Sequence, residues 1–273
     1  MTAHRLVNRR LLLTDMGKAG LAVMVFGAAA CSEEPTDNAA PTDEPGTTSV
    51  AGTPTTSSPT TEPTDSTSST SAPVSAQHDW HRVDLGFVSA YILYRNGEAT
   101  VVDTGVDGSA MSIESGLAEV GLGWGDVSGL VITHRHPDHQ GSVEGVLSNT
   151  PAQTPWFAGA ADLDAITAPH AGQAVGDGDM VNGLEIIESP GHTAGHICVL
   201  DASSGILVAG DALNGGNGGV AGPNPGFSDD IELANASVAK LVGFDYEVVL
   251  FGHGEPVLEA GSTAVADLAA TLG

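Results

Sequence analysis

The sequence predicts a fold that mixes β-strands with α-helices, in the α+β or α/β class. After residue 78, short runs of β-branched and aromatic residues bounded by turn residues alternate with segments of helical periodicity. Residues 78–273 have the length of one domain and enough apolar side chains to bury a core. We therefore expect a single mixed domain over residues 78–273.

The first predicted elements form a hairpin. Residues 91–94 and 99–102 read as strands on either side of Asn96-Gly97, a dipeptide typical of two-residue hairpin turns. A helix is predicted near residues 109–119. The apolar residues 130–132 then predict a buried strand.

Strands and helices also alternate in the second half of the domain. Strands are predicted over residues 185–188, 196–201, 205–209 and 247–251. Helices are predicted over residues 229–241 and 264–272, and the first of them has capping-box spacing between Asp229 and Glu232.

The N-terminal residues 1–31 have the pattern of an export signal. Arg9-Arg10 precedes three leucines, and an apolar stretch of about twelve residues, shorter than the ~20 that a spanning helix needs, ends at Cys31. The arginine pair resembles a twin-arginine signal, although it could be the basic flank of a general secretory signal. The segment before Cys31 is similar to a lipobox, with Ala28 where Leu is more usual, and Cys31 would then carry a lipid.

Residues 32–77 are nearly all Ser, Thr, Pro, Ala, Gly and acidic residues, without aromatic, Lys or Arg residues. Such a composition cannot bury a core, so we expect a disordered stalk. With a lipid at Cys31, the stalk would hold the domain at the outer face of the membrane, in the bacterial cell envelope. A cleavable linker, with a secreted domain, is the alternative.

Charge limits the partners that the protein can have. The chain has 34 acidic and eight basic residues, a net charge of −26, and four of the basic residues lie within the first 18 positions. This balance repels nucleic acid and anionic surfaces, so we expect a small-molecule substrate, no nucleic acid, and membrane contact only through the N-terminal lipid. No protein partner can be inferred. After Cys31 only Cys198 remains, which excludes a disulfide within the domain and is typical of a small buried residue.

The clustering of the histidines indicates a metal-binding site. Residues 133–139 read Thr-His-Arg-His-Pro-Asp-His directly after the predicted strand at 130–132, and His192, Asp211 and His253 follow in separate Gly-flanked segments. A lone surface His is usually just a polar residue, but here six of the ten histidines fall in three short motifs. Neutral imidazole and carboxylate are ligands that zinc prefers. Because a metal-bound water is a strong nucleophile, the set predicts a hydrolase with two metal ions.

These motifs resemble the signature of the metallo-β-lactamase superfamily. The matching segments occur in the family's order: Val102-Asp103-Thr104-Gly105, the run from His134 to His139, Pro190-Gly191-His192-Thr193-Ala194-Gly195-His196, Ala209-Gly210-Asp211-Ala212-Leu213 and Phe251-Gly252-His253-Gly254. The resemblance covers about residues 80–273. It implies a four-layer αββα sandwich.

The resemblance also implies a set of metal ligands. The first ion would be held by His134, His136 and His192, the second by Asp138, His139 and His253, with Asp211 bridging the two. The expected cofactor is a pair of zinc ions, with manganese or iron as alternatives. A hydroxide shared by the ions would attack a carbonyl carbon, with Asp138 also acting in catalysis.

Two further residues are expected behind the ligands. In the family an aspartate at the position of Asp103 hydrogen-bonds the metal site from outside, and metal-binding imidazoles usually need such a partner. The alternative for Asp103 is a turn-capping role before Thr104-Gly105. His196 could brace the site or simply begin the next strand.

Comparison with individual branches of the superfamily excludes several substrate classes. Asp211 stands where some β-lactamases have Cys, other β-lactamases lack the bridging Asp, and only about twenty residues follow His253, too few for the glutathione-binding region of glyoxalase II. Tyr91, Tyr94 and Tyr246 do not match the tyrosine of acyl-homoserine lactonases. An ester, thioester or lactone hydrolase remains. The uncharged loop at residues 215–226 would border the active site or be a flexible connector.

Two other functions stay open. Persulfide dioxygenases of the superfamily bind one iron through residues that match His134, His192 and Asp211, although their second site is usually empty. The other alternative is a surface metal-binding protein without turnover, against which the complete ligand set argues.

Overall fold

Two β-sheets pack face to face, and helices lie on the outer face of each. The structure is a computed structural model and describes residues 77–216 and 218–272. The predicted export signal, its lipidation site Cys31 and the stalk up to residue 76 lie outside the described residues. Within the described ranges, none of the helices combines the length and the apolar character needed to cross a bilayer.

The first sheet has six strands that neighbour each other in chain order: β1 (Asp79–Asp84), β2 (Ser89–Arg95), β3 (Glu98–Val102), β4 (Val127–Ile132), β5 (Trp156–Gly159) and β6 (Gln173–Val175). The first three strands are antiparallel, and β3 to β6 run parallel to one another. The turn between β2 and β3 has positive φ at both Asn96 and Gly97, which matches the hairpin turn predicted from that dipeptide.

The second sheet has five strands in the order β13-β10-β9-β8-β7. Their bounds are β7 (Met180–Val181), β8 (Leu184–Glu188), β9 (Ile197–Asp201), β10 (Ile206–Gly210) and β13 (Val248–Phe251). All neighbours are antiparallel except β10 and β13, which are parallel. The short strands β11 (Asn214–Gly216) and β12 (Gly219–Ala221) form a separate hairpin after β10.

The helices are α1 (Ala110–Glu119), α2 (Pro137–Gln140), α3 (Val143–Asn149), α4 (Ile231–Leu241) and α5 (Gly261–Leu272), with 3-10 turns at Trp124–Asp126 and Leu163–Ala165. Apolar residues of α1 and α3, such as Ile113 and Val146, pack on the first sheet. Val238 of α4 and Val265 of α5 pack on the second. A third apolar cluster lies between the sheets and includes Val131 of β4 and Val208 of β10. Three apolar layers separate four structural layers, which is the αββα sandwich.

Every strand and helix that the sequence predicts is present, with bounds that differ by one to three residues. The elements without a prediction are short or polar. Strand β1 reads Asp-Trp-His-Arg-Val-Asp, β6 and β7 have three and two residues, and α3 has only seven residues with Gly145 inside. The strands among these segments are fixed by their neighbours in the sheet, and α3 by its packing on the first sheet, rather than by a local apolar pattern.

The predicted capping box of α4 is wrong. The N-cap is Asp230, whose carboxylate accepts a hydrogen bond from the Leu233 amide at 3.0 Å. Asp229 instead accepts two hydrogen bonds from the Arg135 guanidinium, at 2.8 and 3.1 Å. The paired charge draws the Asp229 carboxylate away from the helix, because a two-point contact with guanidinium is stronger than a cap.

Candidate metal centre

All the predicted ligands lie at one edge of the sandwich. Strands β3 and β4 are parallel neighbours in the first sheet, and β10 and β13 are parallel neighbours in the second. Each of the four strands is followed within two residues by a candidate site residue: Asp103 after β3, His134 after β4, Asp211 after β10 and His253 after β13. Strand β8 ends at the same edge, and His192 lies in the loop that follows it. The ligand segments are therefore carried by rigid strand ends.

Three imidazoles form what we call the first group: His134, His136 and His192. The Nδ1 atom of His136 lies 3.0 Å from Nε2 of His134 and 2.9 Å from Nε2 of His192. Ligands of a tetrahedral zinc ion with Zn–N bonds of 2.0–2.1 Å lie about 3.3 Å apart. The three nitrogen atoms thus converge nearly at the separation that one ion requires.

The second group consists of Asp138, His139 and His253, which also offer ligand atoms within reach of one ion. Nε2 of His253 lies 3.3 Å from Oδ2 of Asp138, and Nε2 of His139 lies 3.8 Å from the same oxygen. Pro137 begins α2, a position where its missing N–H costs nothing. The turn at Pro137 carries Asp138 and His139 away from His136 and towards the second group.

Asp211 lies between the two groups. Its Oδ2 atom is 3.4 Å from Nε2 of His192 and 3.3 Å from Nε2 of His253, while Oδ1 is 3.4 Å from Nε2 of His139. The carboxylate therefore faces members of both groups, as a bridging ligand would.

Two observations test whether the site fits metal ions. Nε2 of His139 and Oδ1 of Asp211 are buried and have no hydrogen-bond partner among the described residues. Buried polar atoms of this kind are rare unless something else satisfies them. In addition, a Cβ atom at Gly252 would collide with Oδ1 of Asp211 and approach Cε1 of His139 to 2.5 Å. The backbone at Gly252 thus passes close to both side chains, and the absence of a side chain there leaves them room. The residues therefore fit a metal centre.

Asp103 connects both groups from behind. Its Oδ2 atom accepts hydrogen bonds from Nδ1 of His139 and from Oγ1 of Thr133, each at 2.8 Å, and its Oδ1 atom accepts from the Thr133 amide at 2.8 Å. Because the Thr133 hydroxyl donates to Asp103, it must accept from Nδ1 of His134, 3.0 Å away. One buried carboxylate thus leaves Nε2 of both His139 and His134 with a free lone pair. The backbone of Asp103 has φ 62°, in the left-handed region that residues other than glycine rarely adopt. The hydrogen bonds of its carboxylate stabilise this conformation.

His192 and His253 are oriented by the walls of the site. Nδ1 of His253 donates to the Phe87 carbonyl at 2.6 Å. The Ser228 hydroxyl donates to the Asn224 carbonyl at 2.8 Å and can accept from Nδ1 of His192 at 3.3 Å. In both rings Nε2 is then the atom that faces the centre.

Asp162 is a site residue that the sequence did not reveal. It is fully buried, and its carboxylate accepts from the Arg135 amide at 3.0 Å, the Gly195 amide at 2.9 Å and the hydroxyl of Thr193, and it pairs with the Arg135 guanidinium at 3.2 Å. Arg135 lies between two ligands of the first group, and Thr193 follows the third. Asp162 therefore joins the two segments that carry the first group. No motif surrounds it, so only its position in space identifies it.

His196 braces the backbone of Asp211 and precedes strand β9 by one residue. Its Nε2 atom accepts from the Asp211 amide at 3.0 Å, so its Nδ1 carries the proton and donates to Ser189 Oγ at 2.8 Å. Ser189 Oγ lies 3.1 Å from the Cys198 thiol, whose sulfur donates to the Ala209 carbonyl at 3.4 Å. Cys198 is buried as predicted, and burial raises the pKa of its thiol to about 12.

The two groups have opposite electrostatics. Burial lowers the pKa of His192 to about 4 and that of His134 well below its usual range, and burial also lowers the pKa of His136. In the second group, hydrogen bonds to Asp138 and Asp211 raise the pKa of His253 to about 10. Burial opposes charge on His139, but Asp103 and Asp211 outweigh it and raise the His139 pKa.

An open pocket of about 530 Å³ leads to the centre. It is lined by Phe87, His136, Pro137, Asp138, Asp211, Asn214, Asn224, Phe227 and His253. The loop at residues 215–226 therefore contributes Asn224 to the pocket, and part of this loop is the β11–β12 hairpin. The tyrosines lie elsewhere: Tyr91 and Tyr246 are buried and donate to backbone carbonyls.

Comparison with known proteins agrees with this geometry. Residues 83–253 match the model of the metallo-beta-lactamase superfamily. The chain is 39% identical over 120 residues to a hydroxyacylglutathione hydrolase of Hahella chejuensis, which covers 43% of each chain. It is 28% identical over 200 residues to the uncharacterized protein YobT of Bacillus subtilis, covering 62% of this chain and 83% of YobT. The chain spans about half the length of most curated relatives it matches, YobT excepted.

Solved structures share the fold at low identity. A metallo-beta-lactamase family protein from Thermus thermophilus aligns with a TM-score of 0.57 at 22% identity, covering 70% of this chain and 78% of that one. The metallo-beta-lactamase SMB-1, solved with mercaptoacetic acid, aligns with a TM-score of 0.58 at 19% identity, covering 73% and 93%. The sandwich of two sheets and flanking helices is thus one that these proteins also have.

Proposed function

The chain belongs to the metallo-β-lactamase superfamily, and on that premise we propose that it is a metal-dependent hydrolase that attacks a carbonyl group. The reaction is the hydrolysis of an ester, thioester or lactone. One observation carries the proposal. Nε2 of His139 and Oδ1 of Asp211 are buried 3.4 Å apart with no hydrogen-bond partner among the described residues, within seven convergent side chains that could hold metal ions.

Two ions fit the arrangement better than one. The first group would hold one ion and the second group the other, with Asp211 shared between them. Imidazole and carboxylate favour zinc, with manganese or iron as alternatives. When bound, such a pair of ions would acidify a shared water molecule and polarise the carbonyl oxygen.

The side chains around the centre have separate roles in this reaction. Asp138 lines the pocket with about a quarter of its side chain exposed, and its hydrogen bond with His253 lowers its pKa. An ionised carboxylate only accepts hydrogen bonds, so Asp138 would orient the attacking water towards the carbonyl carbon. Asp103 and Thr133 keep the lone pairs of His139 and His134 directed at the centre.

The curated relatives support carbonyl chemistry. Several of them are hydroxyacylglutathione hydrolases, which are thioester hydrolases. The matched part of this chain, however, is about half of each of those proteins. We therefore propose a thioester as the first substrate class to test. The proposal concerns the thioester bond and does not extend to glutathione as the thiol.

The test is metal content combined with turnover. We expect about two zinc or manganese ions per chain by elemental analysis and hydrolysis of aryl esters, thioesters or lactones. A His134→Ala variant should lose both, whereas His170→Ala, a histidine outside the centre, should keep both. One iron per chain with oxygen consumption on a persulfide and no ester turnover would replace the proposal with the dioxygenase. Bound metal without any turnover would favour a metal-binding protein.

We also propose that the enzyme domain works outside the cytoplasm, tethered through a lipid on Cys31. The support is the sequence pattern alone: the arginine pair Arg9-Arg10, the apolar stretch that ends at Cys31 and the Ser/Thr/Pro-rich residues 32–77. In a bacterial host the protein should incorporate a fatty-acid label and fractionate with membranes, and Cys31→Ala should abolish both. Labelling that persists in Cys31→Ala would contradict the assignment.

A further inference from the structure

Two exposed phenylalanines stand at the mouth of the catalytic pocket. The side chains of Phe87 and Phe227 are 64% and 68% exposed, and both line the pocket. Large apolar side chains grouped at a concave site usually mark a binding surface, because exposing them to water is unfavourable. The pocket volume of about 530 Å³ is in the range of small-molecule sites.

Each phenylalanine belongs to a segment that is bonded to a candidate ligand. The Phe87 ring stacks on the His253 ring, with centroids 6.1 Å apart and planes inclined by 14°, and its carbonyl accepts from His253 Nδ1. The Phe227 amide donates to the Asn224 carbonyl at 3.1 Å, and the adjacent Ser228 contacts His192. The Phe87 ring thus lies beside a ligand of the second group, and the backbone of Phe227 is held next to a residue that contacts a ligand of the first group.

The pocket offers no positive side chain outside the metal centre. Within residues 77–216 and 218–272 there are four Lys and Arg residues, and none lines the pocket. Each has polar contacts elsewhere: Arg82 with Glu255, Arg95 with the Asn182 carbonyl, Arg135 with Asp162 and Asp229, and Lys240 with Asp177. The remaining polar lining is the neutral amides Asn214 and Asn224 and the imidazoles and carboxylates of the centre itself.

We propose that Phe87 and Phe227 bind the apolar acyl group of an uncharged substrate and are the specificity residues of the pocket. This inference rests on the proposed hydrolase function. The substrate class is then a thioester, ester or lactone with an acyl chain of several carbons and no anionic group. Because none of the described Lys and Arg residues lines the pocket, a glutathione thioester, which carries two carboxylates, has no cationic side chain to pair with outside the metal centre and is a poor substrate.

The test is an acyl-chain series on a neutral thiol, N-acetylcysteamine, with acetyl, hexanoyl and decanoyl groups, next to lactoylglutathione. Complete burial would increase kcat/KM about fourfold per methylene, so we expect at least about tenfold between acetyl and hexanoyl for a partly open pocket. Phe227→Ala and Phe87→Ala should reduce the hexanoyl-to-acetyl ratio, mainly through KM. Met180→Ala removes an equally exposed apolar side chain from β7 and should leave the ratio intact.

A binding measurement separates this inference from the proposed function. The probe is the amide analogue of the decanoyl thioester, in which an NH group replaces the sulfur atom, and it is not readily hydrolysed. Calorimetry should show that it binds the metal-loaded protein, and that it binds the metal-loaded Phe227→Ala variant at least about tenfold more weakly. If the protein turns over all three thioesters with the same kcat/KM, or prefers lactoylglutathione, the inference about the acyl group is wrong and the proposed hydrolase function stands. No turnover with any member, together with tight amide binding, would overturn the hydrolase and keep the apolar pocket.

Discussion

The first and second groups of the candidate metal centre are built from similar residues but differ in burial. His134 and His192 are essentially inaccessible to solvent, whereas His253 and Asp138 have 29% and 26% of their side chains exposed. The first group lies between strand ends and is surrounded by Asp162 and the Thr193 loop. In the second group Asp138 and His253 line the pocket, as does His136 of the first group, whereas His139 is fully buried. The buried ligands are held rigidly, and a substrate can approach only the ligands that line the pocket.

Charge follows burial in the same comparison. The imidazoles of the first group have lowered pKa values, so they are neutral at pH 7 and already carry the lone pairs that an ion needs. In the second group, facing carboxylates raise the pKa of His139 against the effect of burial. Hydrogen bonds to Asp138 and Asp211 raise the pKa of His253 to about 10, so without an ion His253 holds a proton at pH 7. The comparison teaches that one centre can combine a preformed site with a site that must release protons on binding.

The largest effect is expected from Asp211→Asn, which removes the charge that both groups share. Losing several kcal/mol of electrostatic stabilisation should lower kcat/KM by about a thousandfold, and metal content should fall in both groups. The control is Asp267→Asn, an exposed residue of α5 far along the chain from the ligands. Retention of a tenth or more of the activity would show that the groups function independently.

Asp162→Asn should damage the first group alone. An amide cannot accept all the hydrogen bonds that the buried carboxylate accepts from Arg135, Thr193 and Gly195. We expect the metal-free protein to lose about 3 kcal/mol of unfolding free energy in urea, with weaker metal binding in the first group. The exposed neighbour Asp164 gives the matched control, Asp164→Asn. Unchanged stability would remove Asp162 from the support of the first group.

A pair of substitutions separates the contributions of Asp103. Asp103→Asn should weaken metal binding in both groups by about 10–100-fold, because it disturbs His139 directly and His134 through Thr133. Thr133→Val keeps the Asp103 contact with His139 and should weaken the first group more than the second. Competition titrations with a chromophoric zinc chelator measure both affinities. Equal losses in the two groups for Thr133→Val would contradict the hydrogen-bond path.

The smallest effect per step is the pH dependence of metal binding, about tenfold per pH unit, and it sharpens the comparison. An ion entering the second group displaces a proton from His253, whose pKa is about 10. Its affinity should therefore rise with pH between about 6 and 9, by about tenfold per unit for each proton released. The first group, with the His192 pKa at about 4, should show little change over that range. Zinc titrations at several pH values distinguish the two, and parallel curves would be the contrary result.

The ligands could be predicted because they lie in short motifs at the ends of strands with clear apolar patterns. Val102, Ile132, Ala209 and Phe251 are fully or almost fully buried, and the ligand segments begin one or two residues later. The supporting residues could not be predicted. Asp162 has no motif around it, and Ser228 and Phe87 act through groups that any sequence could supply, a hydroxyl and a backbone carbonyl. Their roles depend on contacts between segments far apart in the chain.

The sequence by itself determined the family resemblance, the predicted strands and helices and the set of seven metal-binding candidates, because periodicity and local motifs record what each segment buries and what it offers. The tertiary structure alone decided how the candidates divide in burial and charge. A pKa depends on every group within a few ångströms, whichever segment supplies it. For the same reason it decided that the pocket presents Phe87 and Phe227, 140 positions apart in the sequence, with none of the described Lys or Arg residues in its lining.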